Sequence, residues 1–396
     1  MSKYHLASKD IEDALLSRGR ISTEVLAEIA QKKGILVSTS TNKERLAKYI
    51  ATIPFDDEDI DYIYGLIDIN KRRERTTSSR ISKLEDREIR DSLDRLKDME
   101  SGKNEVFNIK TDVNAPVMRI DYSYDEIDYS KAKMLQSIRR KVEIQISKVG
   151  EKTVIRYPDN QQCKEFIEKF LKEAEAETSK KINKKEISLS TITDTKDRFD
   201  FFHTLVSRME GMEPDNVISI CVYKPKEDSQ DHEDSQDVVD FDDTAQVDDT
   251  TEKDQFIEVE DDSELDYIAP SSFIRKVIME GFVLFGSSEL KSFQVRGFQL
   301  TNVKWHAIDT SQKIPRKIEL EAGFSNQEEC SGFRYDVKGF YGYIKDSNSY
   351  QLTKKPLSDD ERISYFKKLE DAAESFLERY YEKIQNLKNG NNKDVG

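Results

Sequence analysis

Cysteine is scarce in this chain: Cys163, Cys221 and Cys330 are the only three among 396 residues, far apart and without a C-x-x-C pair. That spacing excludes a disulfide framework and a zinc knuckle as organising devices. Cys221, inside the apolar run ISICVY, reads as a small core residue. Histidine is nearly as rare. His5, His203, His232 and His306 are isolated, and none stands in an H-x-x-x-H or H-E-x-x-H setting, so a catalytic zinc site has no support. His203 follows Phe201 and Phe202 and reads as a core-edge residue. There is no G-x-x-x-x-G-K-[ST] loop, no G-x-G-x-x-G turn and no G-x-S-x-G elbow. Nucleotide hydrolysis, dinucleotide redox chemistry and α/β-hydrolase chemistry therefore lose their usual signatures, and no cofactor is expected.

Long apolar runs are missing too. Nothing approaches the ~18 consecutive apolar residues of a spanning helix, and the opening MSKYHLASKD has no apolar signal core. The expectation is a cytoplasmic protein with no membrane contact.

What is present is charge, 36% of residues, matched by 36% apolar residues that include 19 Phe and 17 Tyr. The formal net charge of −15 is unevenly placed. Between Glu227 and Asp266 there are 19 Asp plus Glu against one basic residue, Lys253, a local charge of −18. Taking that segment away leaves the remaining chain at +3, so an overall acidic balance does not argue against nucleic acid. The segment repeats EDSQD at 227–231 and 233–237 and holds few apolar residues. It cannot offset its ordering entropy and reads as a disordered insert over 226–267. The insert reads as a solubilising loop or as a mimic of nucleic-acid charge that folds back on a basic surface; Val238, Val239, Phe241, Phe256 and Ile257 punctuate it like short segments that order on a partner.

The remaining chain divides by pattern. Residues 1–69 read as an all-helical module. Gly19 and Gly34 are stops, Ser22 is an N-cap, and Asp56 to Asp59 form an acidic first turn after Pro54. Residues 70–104 read as a basic linker followed by a charged helix with a thin stripe of Leu84, Ile89, Leu93, Leu96 and Met99. From 105 to 225 the pattern is α+β. Strands alternate through EVFNIKT and VMRIDYSYDEI, and a hairpin turns at Val149-Gly150-Glu151. An amphipathic helix follows over 159–179, then a strand candidate EISLSTI, a helix around Phe199 to Met209 and a buried strand NVISICVYKP. Residues 268–390 continue as a helix over Phe273 to Phe285, a Ser-capped helix, three aromatic-rich strands and a long final helix after Pro356. The fold class expected is α+β with antiparallel strands.

The order Leu26, Ile29, Lys33-Gly34-Ile35, Lys43, Leu46 and Tyr49-Ile50, within residues 24–52, resembles a SAP-type helix–extended loop–helix motif. The resemblance implies docking on DNA through the backbone, with Ser38, Thr39, Ser40, Asn42 and Lys43 at the phosphate-contacting positions. Asn42 stands where a glycine is usual, and Asn tolerates a left-handed backbone. A plain helical-hairpin interaction module is the alternative. Directly after the module come Lys71, Arg72, Arg73, Arg75, Arg80 and Lys83 against Glu74, a net +5 over 13 residues. Such a run binds phosphates by counterion release, or is a solvated linker. Arg139-Arg140-Lys141 and Lys180-Lys181-Lys184-Lys185 read as solvated faces.

A metal-dependent nuclease would need carboxylates on neighbouring strands beside a lysine. The candidates are Glu143 with Lys148, and Glu319 with Glu321, which equally suit the exposed face of a half-buried strand. The sequence thus points to a non-catalytic adaptor or DNA-associating subunit of a cytosolic assembly, with a protein partner and DNA as ligands. A divergent nuclease and a pure protein scaffold are the alternatives. Lys over Arg, with frequent Asn and Ile, agrees with an AT-rich prokaryotic genome and is compatible with a role in anti-phage defence.

Overall fold

The computed structural model describes residues 6–16, 21–38, 40–67, 74–100, 105–110, 117–130, 133–225, 275–281 and 284–391. The acidic segment at 226–267 and the cations Lys71, Arg72 and Arg73 lie outside them. In chain order the elements are α1 (Ser8–Leu16), α2 (Thr23–Lys32), α3 (Lys43–Ile50), α4 (Asp57–Ile67), β1 (Thr76–Ser82), α5 (Asp86–Glu100), β2 (Val106–Lys110), β3 (Val117–Ile127), β4 (Ser137–Val149), β5 (Lys152–Pro158) and α6 (Gln161–Thr178). Then follow β6 (Lys185–Glu186), α7 (Thr195–Ser207), β7 (Met212–Tyr223), β8 (Lys276–Glu280), α8 (Ser288–Val295), β9 (Gln299–Asp309), β10 (Arg316–Asn326), β11 (Ser331–Ile344), β12 (Ser349–Tyr350) and α9 (Asp359–Asn391). The fold is mixed α+β, with antiparallel pairing throughout one sheet ordered β2-β3-β4-β5-β1-β11-β10-β9-β7-β8.

β1 corrects the linker expected over 70–104. Thr76–Ser82 is the central strand, paired along its length with β5 and at Thr76 and Thr77 with β11. Its sequence TTSSRIS hides the alternation because its partners are polar. The Thr77 hydroxyl donates to the Phe333 carbonyl at 2.8 Å, and the Ser79 hydroxyl meets the Tyr157 hydroxyl at 2.9 Å.

Thr77 lies opposite both Tyr157 and Arg334, so these three side chains share one face of the sheet; Thr76 and Tyr335 point to the other. On the first face, α5 and α6 cover β2–β5, burying Leu93, Phe166 and Phe170 with Ile120, Tyr122, Ile155 and Tyr157. On the opposite face, α7 and α9 cover β9–β11, burying Phe201, Phe202 and Leu369 with Trp305, Leu320 and Tyr335. Because β5 and β11 are both antiparallel to β1, they run parallel to each other. A two-fold axis along β1 would produce this order, these directions and this switch of helix face. On that opposite face α9 also reaches the first half, where Glu370 meets Arg156 on β5 and Asp360 meets Arg119 on β3.

Two further expectations change. Phe273 to Phe285, read as a helix, holds β8 and a short 3-10 turn at Leu284–Gly286; an apolar run this short fits either state until its neighbours are known. EISLSTI pairs only through β6, while Leu189 and Ile192 are buried in a loop whose Leu189 N–H donates to the Cys330 carbonyl at 2.9 Å. The hairpin at Gly150 is as expected, the glycine adopting φ +59°. The N-terminal helices form their own core of Leu15, Leu26, Ile29, Leu46, Ile50 and Ile63. That core reaches the β3–β4 connection through Met134, beside a Lys133–Asp10 ion pair at 3.5 Å. Among the described residues no helix is long and apolar enough to cross a membrane.

Candidate nucleic-acid interface

α2 begins at Ser22, whose hydroxyl accepts from the Val25 N–H, and ends where Gly34 turns left-handed at φ +75°. The Ile35 N–H returns to the Ala30 carbonyl at 3.0 Å, which points the chain away into an extended stretch. Ile35 and Val37 face the helical core while Leu36, between them, is 89% exposed. At the far end of this stretch the Ser38 and Ser40 hydroxyls meet at 2.7 Å, and the Thr41 N–H closes a turn on the Ser38 carbonyl. Thr39 lies outside the described residues.

Asn42 has a different job from the one expected of it. Its backbone is at φ −54°, ψ 133°, not left-handed, and its side-chain oxygen accepts from the Glu44 and Arg45 N–H groups at 2.9 and 3.3 Å. It is the N-cap of α3. Lys43 is half-buried in the following turn. Because Leu46, Ala47 and Ile50 take the inward stripe of α3, Arg45, Lys48 and Tyr49 are left on its outer face, with Tyr49 48% exposed. Among the described residues neither Arg45 nor Lys48 has a carboxylate within ion-pairing distance. Both are readable in the sequence from their i, i+3 spacing opposite the apolar stripe.

The cations at the end of α2 are occupied. Lys32 sits 3.1 Å from the centre of the Tyr62 ring. Lys33 pairs with Asp59 and, at 3.4 Å, with Asp56, and the Asp59 carboxylate raises its pKa. The acidic first turn of α4 thus holds α2 as well as capping its own helix.

Arg75 and Arg80, read from sequence as phosphate contacts, are drawn into the fold. Arg75 pairs with Glu321 on β10. Arg80 pairs with Glu374 on α9 and lies 3.8 Å from Asp371. As β1 is central to the sheet, arginines flanking or within it meet carboxylates of the second half instead of solvent. The structure therefore brings Ser38, Ser40, Asn42 and Lys43 together on one edge, adds Arg45 and Lys48, and removes Arg75 and Arg80.

The carboxylates weighed for metal chemistry are ringed by cations. Glu319, 2% exposed, accepts from Tyr341 at 2.7 Å, and meets Lys304 at 2.9 Å and Lys354 at 3.2 Å. Glu321 meets Arg75, Lys338 at 3.0 Å and the Asn302 amide at 3.3 Å. His306 Nε2 is 3.8 Å from Glu319, too far for a hydrogen bond. Glu143 lies beside Gln145 at 2.7 Å, while Lys148 turns away to Glu85 and Asp86. A divalent ion at Glu319 or Glu321 would have to displace these ammonium and guanidinium groups. Among the described residues no three His, Cys, Asp or Glu side chains gather as metal ligands.

Burial pushes both carboxyl groups up, but their cationic and hydroxyl partners outweigh it and hold Glu319 and Glu321 below the ordinary 4.5. A depressed folded pKa contributes stability that is present above the unfolded value and is lost as pH falls toward the folded one. The thermal midpoint should therefore decline below about pH 4.5. In Glu319→Gln the decline should be shallower than in the parent; identical acid limbs would show that Glu319 does not contribute.

No known family model matches the chain, and no curated protein matches it in sequence.

Proposed function

We propose that the chain is a non-catalytic, DNA-associating subunit of a larger assembly, binding through the loop and outer helix face of its N-terminal module. The observation that carries this reading is the edge formed by Ser38, Ser40 and the α3 surface. Two cations that have no carboxylate partner among the described residues, Arg45 and Lys48, stand there beside hydroxyl donors and an exposed tyrosine. Hydroxyls and helix-terminal amides orient phosphates, and arginine and lysine supply the counterion-release term. The module as a whole is acidic, but α3 carries Lys43, Arg45 and Lys48 against Glu44 alone, so its surface is positive locally.

The test is a salt-dependent gel shift of the full chain on duplex DNA, comparing the parent with an Arg45→Glu/Lys48→Glu variant. The expected loss is at least about tenfold in affinity, with the log–log salt slope shallower by about 1.8, because two phosphate contacts are removed. Superimposable parent and variant curves would refute the reading. A truncation ending at residue 83 is unsuitable, since it removes β1 and with it the join between the two halves of the sheet.

A further inference from the structure

Beyond β1, the last third of β11 has no strand of the first half beside it. The chain returns along this open edge instead. Tyr350 pairs with Tyr343, the Gln351 N–H donates to the Gly342 carbonyl at 2.8 Å, and Lys355 bridges to Phe340. Between this returning segment and the β9–β10 loop is an open groove of about 440 Å³, within the range of small-ligand sites. Its walls hold Lys313, Arg316 and Lys355 with the amides of Gln312 and Gln351 and the ring of Tyr343. Among the described residues no carboxylate lines it.

The glycine on the floor has a physical reason. A Cβ at Gly342 would stand 3.0 Å from the Gln351 side-chain oxygen, so glycine lets that amide lie across the strand. Arg316 is fixed in place, bonded to Glu361 at 2.6 Å and set 4.6 Å over the Phe340 ring. Lys313 and Lys355 are exposed, and among the described residues neither is near enough to a carboxylate to form an ion pair. Ile314, 49% exposed, gives the rim an apolar contact. A fixed guanidinium, two exposed ammonium groups, neutral amide donors and an apolar rim suit an anion with several oxygens on an organic body.

We propose that this groove binds a phosphate ester. The ligand is a free nucleotide or the phosphodiester backbone of a nucleic acid; both present the same oxygens. The second source has a geometric basis. β3, β5 and β11 run parallel to one another, so the β3–β4 connection, on which the N-terminal module rests, and the end of β11 lie at the same end of the sheet. Four strand spacings separate β3 from β11, about 19 Å, a distance spanned by about six steps of a nucleic-acid strand. The groove stands independently of the N-terminal reading.

The test uses the full chain, with ATP followed by calorimetry and a labelled 20-mer duplex followed by anisotropy. The variants are Lys313→Glu/Lys355→Glu, the milder Lys313→Gln/Lys355→Gln, and Lys313→Arg/Lys355→Arg as a charge-conserving control. Both lysines are exposed, so the thermal midpoint should be unchanged. A tenfold or greater loss of ATP affinity in the Glu and Gln variants, retained in the Arg variant, supports a nucleotide site. The same loss for the duplex alone supports the backbone. Absence of binding of either probe to the parent, or equal binding by parent and Glu variant, overturns the proposal. Arg45→Glu/Lys48→Glu run alongside keeps the two readings separable, since it leaves the groove intact.

Discussion

Glu370→Ala should destabilise the protein by about 3–5 kcal/mol, the cost of leaving one partner of a buried ion pair without the other. Arg156 on β5 and Glu370 on α9 are 2% and 1% exposed, and the guanidinium grips both carboxylate oxygens at 2.7 and 2.6 Å. The Ser147 hydroxyl accepts a further N–H at 3.0 Å, and the Tyr335 hydroxyl donates to Glu370. Burial alone would lower the arginine's pKa, but the Glu370 carboxylate outweighs it and raises it, so Arg156 stays charged. With Glu370 removed, that charge remains buried beside a phenol. Differential scanning calorimetry should show the midpoint falling on the order of 10 °C. An Arg156→Met/Glu370→Leu double variant should recover most of the loss, because two apolar groups need no charge partner. If Glu370→Ala melts within a degree or two of the parent, the pair is not holding the two halves together.

Phe201→Ala should cost a similar amount, about 3–5 kcal/mol, from lost burial and the cavity left behind. Phe201 is fully buried on α7 and touches four rings: Phe202 at 5.2 Å, Phe376 at 5.4 Å, Phe324 at 5.7 Å and Phe333 at 5.8 Å between centroids. These belong to α7, α9, β10 and β11, so one side chain joins both helices to the sheet. Chemical denaturation should show a lower midpoint, with amide exchange accelerated most on β9–β11. A Phe201→Leu variant should retain most of the stability, because it keeps much of the volume. Equal losses in the Ala and Leu variants would mean ring contacts, not filled space, dominate.

The N-terminal module was legible from sequence because its signals are local. Ser22 caps, Gly34 turns left-handed, and the Leu26, Ile29 and Leu46, Ile50 spacings leave one inward face per helix. The hairpin at Gly150 and the final helix after Ser358 were readable for the same reason: each is decided by residues within one turn of one another. Asn42 shows the limit of that reading. Its residue type suits both a left-handed turn and a helix cap, and which it serves depends on the direction in which the chain leaves the loop.

β1 and the arginines near it were not legible. A strand of Thr, Ser and Arg has no apolar stripe to announce it, and its identity comes from β5 and β11, which lie far along the chain. The same distance hid the fate of Arg75 and Arg80. A basic cluster looks solvated until Glu321 and Glu374, about 250 and 290 residues away in sequence, are brought beside it. The groove at Lys313 and Lys355 was invisible for a related reason, since neither lysine belongs to a cluster until β11 and its returning segment close the far wall.

The sequence by itself determined the α+β class, the helical module, the caps and turns, and the concentration of negative charge between Glu227 and Asp266. Propensity, periodicity and charge all act over a few residues, so they can be read without a fold. The tertiary structure alone decided which cations remain available and which are spent on internal carboxylates. It also decided that β1 joins the halves and that their helices cover opposite faces. Those are questions of which distant groups meet, and pairing across hundreds of residues is settled only when the sheet is assembled.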